Sequence, residues 1–458
     1  MKKRAFSLLL SVLVLAGSLA GCGTSASVSS GETEGAAVSD GADSGQSSLE
    51  ESGKTVIRFQ TWNPGEGSPA KDLEAGFEAA HPDIDVQFVF MPYTDHVEKL
   101  KVDLAAGDAA DVYGVQTGAM YQEFRDFQED LTPYMEEKYG ADWQSVFNSY
   151  AMTLLKAGDG KYYGLPLGLT YSGFVWANRK ILDKYGLAVP GNYEELRKVS
   201  AVLRENGEYP LAIGAKDDWI NIDTFFNIAT DINSEKFYSA LEGETSFTDP
   251  EIVQALQIWQ SCFTDGIFQD GALGVGMYNE TTDMYQKEGS IPMILNGSWA
   301  CGAFMENDAQ TQEVYNGEGA HHEVFLMDWN GDGRPAPVGE AVDVSLVINS
   351  QSQNKEAAWT FVDWMVHDGA EMLINKYLAY CPARLDMPLA VDGLSENGQA
   401  CLDYIVEQGN DNVAGYREMA YADLKEVIQT ALKELALGDV TPEEAAAAIE
   451  KASAAQER

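Results

Sequence analysis

Trp299 stands between Gly297-Ser298 and Gly302, just after the apolar run Ile291-Pro292-Met293-Ile294-Leu295, where few neighbours are bulky enough to cover an indole. An aromatic face in an open turn can take the flat C–H surface of a polyhydroxylated guest. Asn, Gln, Asp, Glu and Arg nearby can take its hydroxyls. Core packing is the alternative for Trp299, since tryptophan is mostly buried on average. Trp62 and Asn63 close a first strand, and Glu66 lies in the turn that follows; Gln116 occupies the equivalent turn after a third strand. The carboxyl edge of a parallel sheet is where such folds bind ligands. Trp219 beside Asp218 is a further aromatic candidate, again with packing as the alternative.

The elements that position these residues are legible from period and punctuation. Thr55 to Thr61 reads as a strand that runs into Trp62-Asn63-Pro64-Gly65. A helix follows, with Ser68 as N-cap, Pro69 at its first position and Leu73 and Phe77 on one face. Alternating Ile84, Val86, Phe88 and Phe90 form a second strand. A helix carrying Val97, Leu100 and Leu104 stops at Gly107, and Asp111 to Val115 is a short third strand. This order predicts a parallel sheet flanked by helices, hence an α/β fold. A second series begins near Lys161. Helix starts are legible at Asn192 with Glu195, at Asp249-Pro250 and at Thr441-Pro442 with Glu444. Val344 to Ile348 is a strand, and Lys355 to His367 an amphipathic helix.

Other chemistry is set aside. Asp328-Trp329-Asn330-Gly331-Asp332-Gly333 matches the first half of a calcium loop, but its twelfth position is Gly339, and Glu340 misses it by one. A hairpin turn on Asn330-Gly331 and Asp332-Gly333 is the preferred reading. His321-His322-Glu323 lacks a His-Glu-x-x-His partner and reads as a solvated loop. Gly-x-Ser-x-Gly elbows, phosphate loops and dinucleotide fingerprints are missing, so no cofactor, metal or catalytic residue is expected. A glycosidase carboxylate pair is not excluded by counting, with 72 acids available.

The chain opens with Lys2-Lys3-Arg4, an apolar stretch from Ala5 to Ala20, and Leu19-Ala20-Gly21-Cys22. The stretch falls short of the roughly 20 apolar residues that span a bilayer and reads as a secretory signal over residues 1–21. Cys22 resembles the lipobox cysteine whose thiolate takes up diacylglycerol, so several acyl chains would anchor the mature protein stably. Residues 22–53 are rich in Ser, Gly, Ala and acids, predicting a disordered tether. Roughly 400 residues remain, too many for one core, so two lobes are expected. The net charge of −42 argues against nucleic acid and anionic lipid headgroups as partners, leaving the lipid anchor as the membrane contact. Cys262, Cys301, Cys381 and Cys401 match no zinc spacing and read as buried thiols; a Cys301–Cys381 bridge stays open.

An ordered set of motifs carries a family resemblance. It runs from Phe77 with Pro82-Asp83-Ile84-Asp85-Val86, through Leu104-Ala105-Ala106-Gly107-Asp108 and Leu131-Thr132-Pro133-Tyr134, to Gly160-Lys161-Tyr162-Tyr163-Gly164-Leu165-Pro166. Asn178, Tyr193-Glu194-Glu195-Leu196, Asn296-Gly297-Ser298-Trp299, Ala357-Ala358 with Phe361, and Pro382-Ala383-Arg384 complete it. Together they resemble the family 1 extracellular solute-binding proteins of ABC importers, the maltose-binding-protein-like class, over most of residues 54–458. The resemblance implies a periplasmic-binding-protein-like fold, each lobe a mostly parallel sheet flanked by helices. Lobe 1 would comprise 54–165 and 343–385, and lobe 2 would comprise 166–342 and 386–458. Crossings fall near Leu165 to Gly168, Val342 to Val344 and Arg384 to Pro388. It also places a stacking tryptophan at Trp299. Tyr171 stands near where the class has a ligand carboxylate, and Glu340 and Arg384 flank crossings, as ligand contacts or interlobe ion pairs.

The resulting expectation is a non-enzymatic, monomeric lipoprotein on the outer face of the cytoplasmic membrane. It would capture an oligosaccharide and pass it to an ABC permease. A surface glycoside hydrolase, a carrier of a non-sugar solute and a sensor subunit are the alternatives.

Overall fold

The structure is a computed structural model that describes residues 53–65, 67–286, 291–305 and 322–456. Cys22 and Glu66 therefore lie outside the described residues. In chain order the strands are β1 Thr55–Thr61, β2 Ile84–Phe90, β3 Val112–Val115, β4 Leu165–Pro166, β5 Leu169–Ser172 and β6 Phe174–Asn178. They continue as β7 Leu211–Ala212, β8 Met293–Asn296, β9 His322–Leu326, β10 Val338–Val342, β11 Ser345–Ile348 and β12 Val413–Tyr416.

Two sheets form the two lobes. The first has the order β2-β1-β3-β11-β4. Ile57 and Phe59 of β1, Val86 of β2 and the whole of β3 are buried beneath the helices Ser68–Ala80, Tyr93–Ala106 and Lys355–Trp364. Apolar side chains recurring at helical spacing, Leu73 with Phe77 and Leu100 with Leu104, supply the covering face. The second sheet has the order β7-β8-β6-β9, and every residue of β6 and β8 is buried.

The two-lobed α/β architecture is as expected, but the pairing directions are more mixed. β1 runs parallel to β2 and β3, whereas β11 is antiparallel to both β3 and β4. In the second sheet only β7 with β8 is parallel. The chain crosses between lobes, so returning strands insert in the reverse direction, which a helix between neighbouring strands would not allow.

A third sheet, β12-β10-β5, joins the lobes. β10 pairs antiparallel with β5 and parallel with β12. The chain leaves the first sheet after Pro166 and enters the joining sheet at Leu169; it returns from Val342 to Ser345. Cys381 bridges to Leu169, bringing a third segment alongside. Gly168 allows this approach, since a Cβ there would sit 2.3 Å from the Cβ of Tyr380.

Helix ends follow the expected chemistry with small shifts. Gly67, not Ser68, is the N-cap of the first helix. Asn192 caps Tyr193–Glu205 by accepting from the Glu195 N–H at 3.0 Å, and Thr441 with Glu444 forms a reciprocal capping box. Two loop expectations are corrected. Residues 328–333 are not a hairpin turn, because β9 and β10 belong to different sheets. Asp328 instead closes this turn by accepting from the backbone N–H groups of Gly331, Asp332 and Gly333. His322 is not solvated: it begins β9, is buried and meets the Tyr285 hydroxyl at 2.7 Å. Cys262, Cys301 and Cys381 are buried thiols outside any disulfide among the described residues, and Cys401 is buried with its Sγ 3.5 Å from the His322 carbonyl.

Candidate functional site: the cleft between the lobes

The floor of the cleft is built around Arg417, one residue past β12. Its guanidinium forks onto Asp223, with Nη2 at 3.0 Å from Oδ2 and Nε at 3.3 Å from Oδ1, and its Nη1 donates to Thr170 Oγ1 at 3.1 Å. Asp343 and Glu418 stand at 3.8 Å, and Lys425 donates to Glu418 at 2.6 Å. Arg417 and Asp223 are both almost wholly removed from water. Burial works against the Arg417 charge, but Asp223, Glu418 and Asp343 outweigh it and raise its pKa. Burial pushes Asp223 up to about 7, opposed by Arg417, and also raises Asp343.

The first lobe's wall joins this floor through hydrogen bonds. Tyr93 Oη donates to Gln116 Oε1 at 3.0 Å, and Gln116 Nε2 donates to Asp343 Oδ1 at 2.7 Å. Trp62 packs edge-on against Tyr93, ring centroids 5.2 Å apart, and the Asn63 amide acts on the Asp343 carboxyl. Tyr93 senses Asp343 and Arg417, and burial pushes its phenol up to about 12.

The second lobe's wall is a run of three rings. Trp299 meets Trp219 edge-on at 5.8 Å, and Trp219 stacks with Tyr278 at 5.8 Å with their planes 22° apart. Tyr278 senses Asp343, Arg417 and Asp223, so aromatic residues of both lobes face one polar floor. Such a site sandwiches a neutral, hydroxyl-rich guest: rings take its C–H faces, and the floor offers donors and acceptors already held in place.

The sequence candidates separate accordingly. Trp62, Asn63, Gln116, Trp219 and Trp299 come together around the cleft. Asp218 is turned to Lys433 at 2.6 Å. Tyr171 is not at the cleft: strand alternation turns Thr170 to Arg417 and Tyr171 to the opposite face. There its ring fills the space over Gly409, where a Cβ would come within 2.5 Å. Glu340, paired with Tyr171 across β10 and β5, turns its side chain to that back face, where among the described residues it makes no ion pair; only its backbone carbonyl reaches the floor, accepting from the Arg417 N–H at 3.0 Å. It is buried, its Oε1 has no hydrogen-bond partner among the described residues, and burial pushes its carboxyl up to about 7. Arg384 also lies elsewhere, bound to Asp386 and His367 with its guanidinium over Phe147.

Sequence reasoning missed Tyr93, Asp223, Tyr278, Asp343, Arg417, Glu418 and Lys425. Tyr278 had a usable signal: like Trp299 it stands among glycines, Gly271, Gly274 and Gly276. A competing depression of about 420 Å³ lies on lobe 2, between the helices Tyr193–Glu205 and Pro250–Thr264 and the turn at Trp329. Its charged residues satisfy one another, Arg197 lying 3.3 Å from Glu194 and 3.1 Å from Asp265; Trp329 is buried, and one lobe alone forms it.

Two lobes joined by a strand hinge, with a polar floor and aromatic walls, define a cleft-type binding protein. Residues 62–372 match the family of bacterial extracellular solute-binding proteins, and the chain belongs to that family. It is accordingly an extracytoplasmic solute-binding protein. A Bacillus subtilis galactooligosaccharide-binding protein is 25% identical over 268 residues, covering 57% of this chain and 59% of that one. The melibiose/raffinose/stachyose-binding protein MelE of the same organism is 28% identical over 164 residues, 36% of each chain. Among solved structures, an ABC substrate-binding protein of Listeria monocytogenes in complex with cycloalternan superposes with a TM-score of 0.71 at 21% identity. It covers 87% of this chain and 98% of its own.

Proposed function

We propose that this chain captures an oligosaccharide or related sugar in the interlobe cleft and delivers it, chemically unchanged, to the permease of an ABC importer. The observation that carries this reading is the convergence of Tyr93 and Trp62 from one lobe, and Tyr278 and Trp219 from the other, on the floor formed by Arg417, Asp223 and Asp343. The saccharides named for the relatives agree with it. The floor holds three acids against two cations, which disfavours an anionic guest. The ligand set is Trp62, Asn63 and Gln116 with Tyr93 and Tyr278 added, and Trp219 stands behind Tyr278. Lobe 1 is assigned 54–165 and 343–385, and lobe 2 is assigned 166–342 and 386–458.

A thermal-shift screen with maltose, raffinose, stachyose and cycloalternan tests the reading. A sugar present at about 100 times its Kd stabilises the fold by about 2.7 kcal/mol and is recovered intact. Release of shorter sugars would point instead to a hydrolase. No shift with any saccharide would reject the assignment.

The chain works from a lipid anchor at Cys22, because its basic start, apolar run and Leu-Ala-Gly-Cys together suit diacylglyceryl transfer. Expressed in a Gram-positive host, the wild type incorporates a clickable fatty acid, and Cys22→Ser does not. Equal labelling of both would remove the anchor from this picture.

A further inference from the structure

We infer that Tyr278 is the stacking face of the second lobe, with Trp219 backing it and Trp299 serving as a positioning residue for Arg417. This rests on the sugar-binding reading above and assigns the contact within it.

The ring of Trp299 is already in use. Its six-membered ring lies directly against Gly297, where a Cβ would fall 2.1 Å from the ring carbons. The Arg417 guanidinium sits 4.4 Å from its centroid, in cation–π contact. Trp219 meets it edge-on. A sugar reaching Trp299 would first have to displace Arg417, and with it the fork onto Asp223. Trp219 is covered in turn, because Tyr278 stacks on it. Tyr278 ends the series: the residue is 54% exposed, while the pKa of its phenol end is raised by burial and by the neighbouring Asp343, opposed by Arg417, at the floor of the cleft. The open aromatic face beside the floor is therefore that of Tyr278.

The backbone under this ring is fixed. Tyr278 belongs to a π-helical turn, Met277–Thr281, a geometry that recurs at functional sites. Asp217 Oδ2 accepts from the Met277 N–H at 2.7 Å. Thr281 and Thr282 hydroxyls donate to the carbonyls of Gly276 and Met277, both at 2.8 Å. Gly214 packs against Met277 so closely that a Cβ would lie 2.3 Å from its backbone. An aromatic ring held out to water on an immobilised turn loses little freedom when a guest covers it, which favours binding. The guest it suits presents one flat pyranose C–H face to lobe 2, with its hydroxyl edge toward Asp343 and Asp223.

The full chain is tested by calorimetric titration with whichever of maltose, raffinose, stachyose or cycloalternan gives the largest thermal shift. Tyr278→Ala weakens binding by about tenfold or more while leaving the melting temperature near that of wild type. Tyr278→Phe, which keeps the ring, binds within about threefold of wild type. Trp299→Ala lowers both melting temperature and affinity, and Trp299→Phe restores both, as a support beneath Arg417 requires. Wild-type affinity in Tyr278→Ala overturns the assignment while sparing the sugar-binding reading. So does a Trp299→Ala variant that loses affinity with an unchanged melting temperature. Wild-type protein that binds none of the four sugars overturns both.

Discussion

Arg417→Met is expected to destabilise the folded chain by about 3–5 kcal/mol, the cost of removing one partner from a buried ion pair. Methionine keeps much of the length and apolar stem of arginine, so the loss reports charge more than volume. Without the guanidinium, Asp223, Asp343 and Glu418 face one another with Lys425 as the remaining cation of the network. Urea unfolding at neutral pH measures the loss. Adding Asp223→Asn recovers part of it, because the uncompensated carboxylate is then gone, and the double-mutant cycle gives the coupling. Strict additivity of the two substitutions would show that the pair is not coupled. Sugar affinity is not recovered in the double variant, since Arg417 also holds Trp299 and ties Thr170 to Asp343 across the hinge. Arg417→Lys is a poor substitute: a single ammonium cannot serve the fork on Asp223 and the Thr170 hydroxyl together.

How this site relates to the sequence depends on which residues are local to a strand end. Trp62 and Gln116 could be placed because each follows a short apolar strand bounded by turn residues, and a parallel sheet puts such turns at one edge. Arg417 had no comparable signal. Its partners Thr170 and Asp223 lie 247 and 194 residues away and meet it through the hinge topology. The glycines around Trp299 do leave its indole uncovered by neighbours in sequence, yet the space is filled by Arg417 from the far end of the chain. Tyr171 and Glu340 illustrate a different limit. Their approximate position beside the hinge was legible, but a residue one place along a strand points to the other face. Thr170 therefore reaches the cleft floor, whereas Tyr171 and Glu340 pack behind it. The mixed strand directions escaped notice because antiparallel insertion requires knowing where the chain crosses between lobes.

That back face leads to the second large expected effect. Glu340 is buried in the joining sheet; its surroundings include the Tyr150 and Tyr171 phenols and the Cys381 thiol, and burial alone sets the direction of its shift. Its pKa rises from 4.5 to about 7, so the folded chain holds this proton more tightly than the unfolded chain does. The stabilisation is therefore complete below pH 4.5 and is lost as pH climbs through 7. The span corresponds to about 3 kcal/mol. Glu340→Gln keeps the shape of the protonated acid and cannot ionise. The variant should match wild type near pH 4 and exceed it by about 3 kcal/mol near pH 8, measured by urea unfolding across that range. A constant difference between the two proteins at every pH would mean that Glu340 titrates normally, with water reaching its carboxyl. Because the joining sheet carries the hinge, ionisation in this apolar seam also opposes its close packing. Wild-type sugar affinity should then fall at alkaline pH while that of Glu340→Gln stays level.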